Sequence, residues 1–177
     1  MVRADARENR ARILAAAREA FAEDDDTSMN QIAQRAGVGP GTLYRNYPSR
    51  EALILDIYRD EVAKLIGAVP ELLAAEPPLE ALRRWTTELV IGMRTKHALG
   101  AALSPDAHKS ISEQTYDPVI GAIAQLLDAG KADGSIREDA EPGDFLQFTG
   151  ALWRAAPDRT QPMLALILDG LDARRSR

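Results

Sequence analysis

The chain has 177 residues, 45% of them hydrophobic and 28% charged, a profile that disfavours disorder, collagen-like sequence and membrane spans and suits one large globular domain or two small ones. Cysteine is absent, which excludes disulfide scaffolds, thiolate zinc sites and cysteine nucleophiles. The net charge is −5, and residues 1–60 hold nine arginines against ten acidic residues, so any nucleic-acid contact must be local and geometric rather than a general basic coat.

No apolar run approaches the roughly 18 residues that cross a bilayer, and the charged start Met-Val-Arg-Ala-Asp lacks the apolar stretch of a signal peptide. A cytoplasmic protein without membrane contact is expected. Helix formers dominate and alternating β-branched runs are missing, which predicts an all-α protein of about nine helices.

The first helix is expected from about Asn9 to Glu23, where Ile13, Leu14, Ala17, Ala20 and Phe21 share one apolar face. Asp24-Asp25-Asp26 ends it in a solvated turn. Ser28 reads as the N-cap of a short helix over Met29 to Ala36, with Gln31 completing a capping box. Gly37 follows where a left-handed residue is needed. Pro40 opens another short helix that runs to about Tyr47. Pro48 and Ser49 stop it and cap a fourth helix, over about 50–73.

Glu76-Pro77-Pro78 is a break. A fifth helix carries Leu79, Leu82, Trp85, Leu89 and Met93, and a short one is expected around Ala98 to Leu103. A seventh holds Val119, Ile120, Ile123, Leu126 and Leu127 and stops at Gly134, with Pro118 in its first turn or at a kink. Pro142 and Pro162 are expected to open the last two helices.

Residues 28–47 are two short helices joined by Gly37-Val38-Gly39, the helix-turn-helix shape whose second helix enters the DNA major groove. On that helix Leu43 and Tyr47 face the core, Thr42, Arg45 and Asn46 share another face, and Pro40, Gly41 and Tyr44 flank it. A Thr methyl can touch thymine, Arg can pair with guanine O6 and N7, and Asn can read adenine or a phosphate. Gly41 costs about 1 kcal/mol against Ala inside a helix, which a close approach of its backbone to another molecule would justify. Two short helices with a Gly turn also occur in proteins that never meet DNA.

The run Ile32-Ala33, Ala36-Gly37-Val38-Gly39 and Gly41-Thr42-Leu43-Tyr44-Arg45-Asn46-Tyr47-Pro48-Ser49-Arg50-Glu51-Ala52-Leu53 resembles the DNA-binding domain of TetR-family transcriptional regulators. The likeness covers about residues 9–60. From Leu82-Arg83-Arg84-Trp85 to Leu152-Trp153-Arg154-Ala155-Ala156-Pro157 the chain resembles the SbtR-like C-terminal subgroup. The resemblance implies a helix-turn-helix domain over 1–50, helix four as the link, and a ligand-binding and dimerisation domain over 51–177. It implies a homodimer on a near-palindromic double-stranded operator, most simply a repressor released by a small-molecule effector, and no cofactor.

By the family's pattern Tyr44 and Arg50 hold phosphates, Thr42 touches backbone or base, and Asn30, Pro40, Gly41 and Arg45 sit where base readers occur. Ser28 would bind phosphate, and Arg3 and Arg7 either reach the minor groove as an arm or form a solvated tail. Gly39 stands where many relatives have Ser or Thr, and Asn46 where His or Tyr is usual. A helical dimer that binds a small molecule or protein without a specific operator is the alternative reading.

His97 and His108 have no cysteine beside them and make no zinc site. No nucleophile motif, phosphate loop or dinucleotide fingerprint exists, so an enzyme is not expected. Trp85, Leu89, Met93, His97, Tyr116 and Trp153 either wall an effector pocket or are plain core. The last two helices are apolar on more than one face. Phe145, Leu152, Leu164, Ile167, Leu168 and Leu171 are the expected dimer interface, with Phe148 and Leu166 beside them. The other reading is that these helices close their own domain.

Overall fold

A computed structural model describes the backbone of residues 2–24, 26–100 and 103–174, and the side chains of 7–24, 26–94 and 103–174. Its helices are α1 (Val2–Glu23), α2 (Met29–Arg35), α3 (Pro40–Asn46), α4 (Arg50–Gly67), α5 (Val69–Ala75), α6 (Pro78–Gly100), α7 (Pro105–Ala132), α8 (Pro142–Thr149) and α9 (Pro157–Leu171). A 3₁₀ turn, Leu152–Arg154, lies between α8 and α9. The expected all-α class holds.

Two compact units form: Met1–Asp60 with Ala98–Ile111, and Glu61–His97 with Ser112–Arg177. The expected division after residue 50 therefore moves. Leu53, Ile54 and Ile57 of α4 belong to the same buried cluster as Ile13, Leu14, Ile32 and Leu43, and Leu103 packs against that cluster. The apolar face of early α4 has its burial there, so α4 is shared between the units. The Ser104 N–H also donates to Glu51 Oε1 at 2.8 Å.

Prolines set the boundaries, in places against expectation. The expected long fourth helix breaks at Ala68, because Pro70 occupies the first turn of α5, where its missing N–H costs nothing. In the same way Pro157 opens α9 and leaves Pro162 inside it, whereas Pro162 was the expected start. Pro118 lies in the interior of α7. Leu152 falls in the 3₁₀ turn, since α8 closes at Thr149. The short helix expected around Ala98 to Leu103 is not a separate element: α6 runs to Gly100 and α7 begins at Pro105. The first helix begins at Val2 rather than near Asn9.

The second unit has its own core, in which Leu82, Trp85, Ile123, Leu126, Leu127, Phe145, Leu152, Leu164 and Leu168 are buried together. Trp85 is fully buried, and its indole N–H donates to the Leu65 carbonyl at 2.9 Å, as a buried indole requires. An isolated antiparallel bridge joins Ile136 to Asp172. The bridge seats the Ile136 side chain over Gly130, where an added Cβ would stand 2.4 Å from Ile136 Cδ1. Ile136 is itself buried and has nowhere to go. Gly130→Ala is therefore expected to destabilise this unit by about 1–3 kcal/mol through overpacking, despite the better helix propensity of Ala. Chemical denaturation of the two chains measures it.

Candidate nucleic-acid interface

The helix-turn-helix is built from local signals. Ser28 caps α2: its Oγ accepts from the Gln31 N–H at 3.3 Å, and its own N–H donates to Gln31 Oε1 at 2.8 Å. This is the expected capping box. Gly37 takes φ +64 after α2, a conformation in which Gly carries no Cβ penalty. Gly39 caps α3 without a side-chain bond, and Pro40 fills its first turn.

Leu43 and Tyr47 are buried, as the wheel predicts. The opposite side of α3 is open. Pro40, Gly41, Arg45 and Asn46 are exposed, Thr42 is half-buried, and Tyr44 is 45% exposed. The Tyr44 hydroxyl has no protein partner among the described residues. Arg45 Nη2 donates to Thr42 Oγ1 at 3.2 Å and Asn46 Nδ2 to the Thr42 carbonyl at 2.7 Å. Asn46 is thus tied back to its own helix, with its amide oxygen the atom left to accept. Ser28 and Asn30 at the start of α2 are exposed as well.

Arg50 has a role that sequence reasoning missed. Its guanidinium lies 4.3 Å from the centroid of the Phe21 ring and donates to the Thr27 carbonyl. It ties the start of α4 to the end of α1 and to the turn before α2. The phosphate contact implied for Arg50 must coexist with this tie, which a five-donor guanidinium permits. Asp24 and Asp26 are exposed and close a turn in which the Asp26 N–H donates to Asp24 Oδ1 at 2.9 Å. Arg7 is exposed, and the side chain of Arg3 lies outside the described residues.

A polar network also escaped the sequence reading, because its members are far apart in the chain. Arg10 on α1 grips Asp56 on α4 through two bonds of 2.9 and 2.8 Å. The Tyr47 hydroxyl donates to the same carboxylate at 2.6 Å. Arg18 reaches Asp60 at 2.5 Å. Burial pushes the Asp56 carboxyl up, but the Arg10 and Tyr47 bonds outweigh it and hold its pKa below the ordinary aspartate range.

A depressed pKa adds stability that is present above the unfolded value, about 4 for aspartate, and is lost as pH falls through the folded one. The stability difference between the wild-type chain and Asp56→Asn is accordingly expected to be constant near neutrality. It should shrink as pH falls below about 4, where the unfolded chain takes up a proton while the folded carboxylate stays ionised, and level off once both states are protonated. Melting temperatures of both chains across pH 3–7 test this.

The six residues expected to wall a pocket all belong to the second unit and differ in burial. Trp85 and Leu89 are buried core, Met93 and Trp153 are half-buried, and Tyr116 is 52% exposed. The His97 side chain lies outside the described residues. Arg94 fastens Trp153 in place by donating to the carbonyls of Trp153, Leu152 and Ala155 at 3.3, 3.4 and 2.9 Å, and to Thr160 Oγ1 at 2.5 Å.

A groove of about 490 Å³ is present between α8 and α9, lined by Phe145, Phe148, Leu166, Ile167, Gly170 and Leu171 with Arg137, Asp139, Glu141 and Asp144 at its polar edge. None of the six residues expected to wall an effector pocket lines it. Of the expected dimer residues, Phe145, Leu152, Leu164 and Leu168 are buried in the chain's own core. The inward stripe of these helices closes its own domain and cannot also face a partner. Ile167 and Leu171 are half-buried, while Phe148 and Leu166 are 67% and 71% exposed.

Residues 13–57 match the family model for bacterial regulatory proteins of the tetR family. Residues 77–173 match the C-terminal domain of SbtR-like transcriptional regulators. The HTH-type transcriptional repressor KstR2 of Mycolicibacterium smegmatis is 27% identical over 123 residues, 65% of this chain and 60% of that protein. An HTH-type transcriptional regulator of Staphylococcus aureus is 44% identical over 54 residues, 29% of each. The chain thus spans less than two thirds of these curated relatives' own length.

Solved structures match more fully. A TetR transcriptional regulator from Streptomyces coelicolor is 38% identical with TM-score 0.77, covering 92% of this chain and 98% of that one. A TetR transcription regulatory protein from Mycobacterium vanbaalenii is 30% identical with TM-score 0.77, covering 97% and 99%. Among the described residues, no helix is long and apolar enough to cross a membrane.

Proposed function

Because the chain belongs to the TetR family of bacterial transcriptional regulators, we propose that it is a repressor that binds a near-palindromic operator as a homodimer and leaves it when a small molecule binds. The observation that carries the reading is the division of α3 into two faces. Leu43 is buried, while Gly41, Tyr44, Arg45 and Asn46 are presented outward on a rigid three-helix base. Such a face offers phosphate donors and base-edge readers together. The repressor sign is supported by the relative from M. smegmatis, whose printed name is that of a repressor.

One head reads only a few base pairs, so useful specificity needs two, and a two-fold pair makes the site near-palindromic. The outward side of α8 and α9, with Phe148 and Leu166 exposed, supports a self-complementary contact there. An effector shifts the dimer only by binding one form more tightly, and a coupling of about 1–3 kcal/mol would lower operator affinity by 5–150-fold. We place its site in the second unit. Met93 and Trp153 are the half-buried members of the expected wall there.

The test is selection of duplexes from random-sequence DNA by the full chain, followed by salt titration of binding. The expected result is an enriched near-palindrome bound at roughly 10⁻⁸–10⁻¹¹ M. Affinity should fall log-linearly with salt. No enrichment over unselected DNA would overturn the reading.

A further inference from the structure

We infer that Tyr47, Asp56 and Arg10 form a positioning device that sets the orientation of the recognition helix, and with it operator discrimination, without touching DNA. The inference rests on the DNA-binding role given above for α3.

The argument starts from how little else holds α3. It has seven residues, too few for a helix that is stable alone. Its N-cap, Gly39, contributes no side-chain bond. Its outer face is open. Leu43 is its one buried residue, and a single aliphatic anchor leaves rotation about the helix axis loosely determined. Tyr47, the C-cap residue, is the second anchor. Its N–H donates to the Leu43 carbonyl at 2.8 Å and its ring is buried in the head core.

A ring in an apolar slot can still slide along its own axis. The hydroxyl removes that freedom, because it ends 2.6 Å from Asp56 Oδ2. Asp56 is in turn held by both arms of Arg10, and Arg10 also stands 3.7 Å from Asp60. The C-terminal end of α3 is therefore pinned to α4 and α1 at once. Burial, then the bond to Asp56, push the Tyr47 pKa above the ordinary tyrosine value, so the hydroxyl keeps its proton as donor. A charge-assisted bond of this kind is short and directional. Tyr47 is buried where Arg45 is exposed, so the effect of this bond on DNA is indirect.

The experiment uses the full chain, a fluorescent duplex selected by the wild type, and an unrelated duplex of equal length. Tyr47→Phe keeps the ring and removes only the pin. Its affinity for the selected duplex is expected to fall about tenfold, the size of one lost hydrogen bond to a charged group. Its affinity for the unrelated duplex and its salt slope should match wild type, because no phosphate contact is lost. Asp56→Asn should act in the same direction, and the double variant should lose less than the product of the two, as members of one network do.

Circular dichroism confirms that each variant is folded at the assay temperature. A Tyr47→Phe chain that melts earlier yet discriminates like wild type overturns the positioning role and leaves only a stabilising contact. Equal loss on both duplexes with a lower salt slope overturns it in favour of a direct phosphate contact. A wild-type chain that selects no duplex overturns the DNA-binding reading itself.

Discussion

A chain carrying Phe148→Glu and Leu166→Glu is expected to sediment as a monomer and to lose operator binding by about a thousandfold or more, the margin between specific and non-specific binding in such proteins. Both residues are more than half exposed and both line the α8–α9 groove, so the substitutions remove no core packing. Four glutamates would meet at a two-fold interface, beside Glu141, Asp144 and the paired Arg137 and Asp139 of each chain. Like charges brought together in that way cost several kcal/mol. Thermal melting of the isolated chain should barely change, because the buried stripe of Phe145, Leu164 and Leu168 is untouched. Sedimentation at micromolar concentration, with and without the selected duplex, measures both outcomes. A dimer that persists and binds as before would place the interface elsewhere.

The same two helices show why part of the site was illegible in the sequence. A helix that is apolar on one stripe announces its buried face. α8 and α9 are apolar on more than one, so periodicity does not say which stripe faces the core. Phe145 and Phe148 look equivalent in a list of residues, yet one is buried and the other is 67% exposed. Only the position of the rest of the second unit decides between them.

The head was legible because its signals are local. Ser28 and Gln31 are three apart and make their capping box whatever lies beyond. Gly37 carries its positive φ for a reason internal to the turn, and Leu43 and Tyr47 share a face by helix geometry alone. Interactions of long sequence separation left no such mark. Arg10 and Asp56 are 46 residues apart, and the grip of Arg94 on Ala155 spans 61. Either arginine read in isolation is one more surface cation. Proline positions were legible as breaks but not as kinds of break. Pro118 and Pro162 sit inside helices, where neighbouring packing outweighs the lost hydrogen bond.

Gly41→Leu is expected to separate the two demands on α3, leaving the fold as stable or more so while lowering operator affinity by at least about a hundredfold. In the free protein a Cβ at Gly41 meets nothing within 4 Å, and the residue is exposed. A leucine there gains helix propensity over glycine, by somewhat less than the roughly 0.8–1.0 kcal/mol that alanine gains in a helix interior. On that ground alone the position should not be glycine. The proposed seat of α3 in a major groove would bring DNA close to this backbone. A leucine in the first turn of a recognition helix would hold α3 away from the groove floor and take Thr42 and Arg45 out of reach of base edges. Each good base contact is worth about 1–3 kcal/mol of discrimination, and a symmetric dimer loses it in both half-sites. Binding to unrelated DNA should suffer less, since the proposed phosphate contacts at Tyr44 and at the helix starts would tolerate a shallower seat. Denaturation midpoints and binding to the selected and unrelated duplexes test both signs. A variant that is stabilised and still binds the selected duplex like wild type would show that nothing approaches Gly41, and the face of α3 would lose its claim to the major groove.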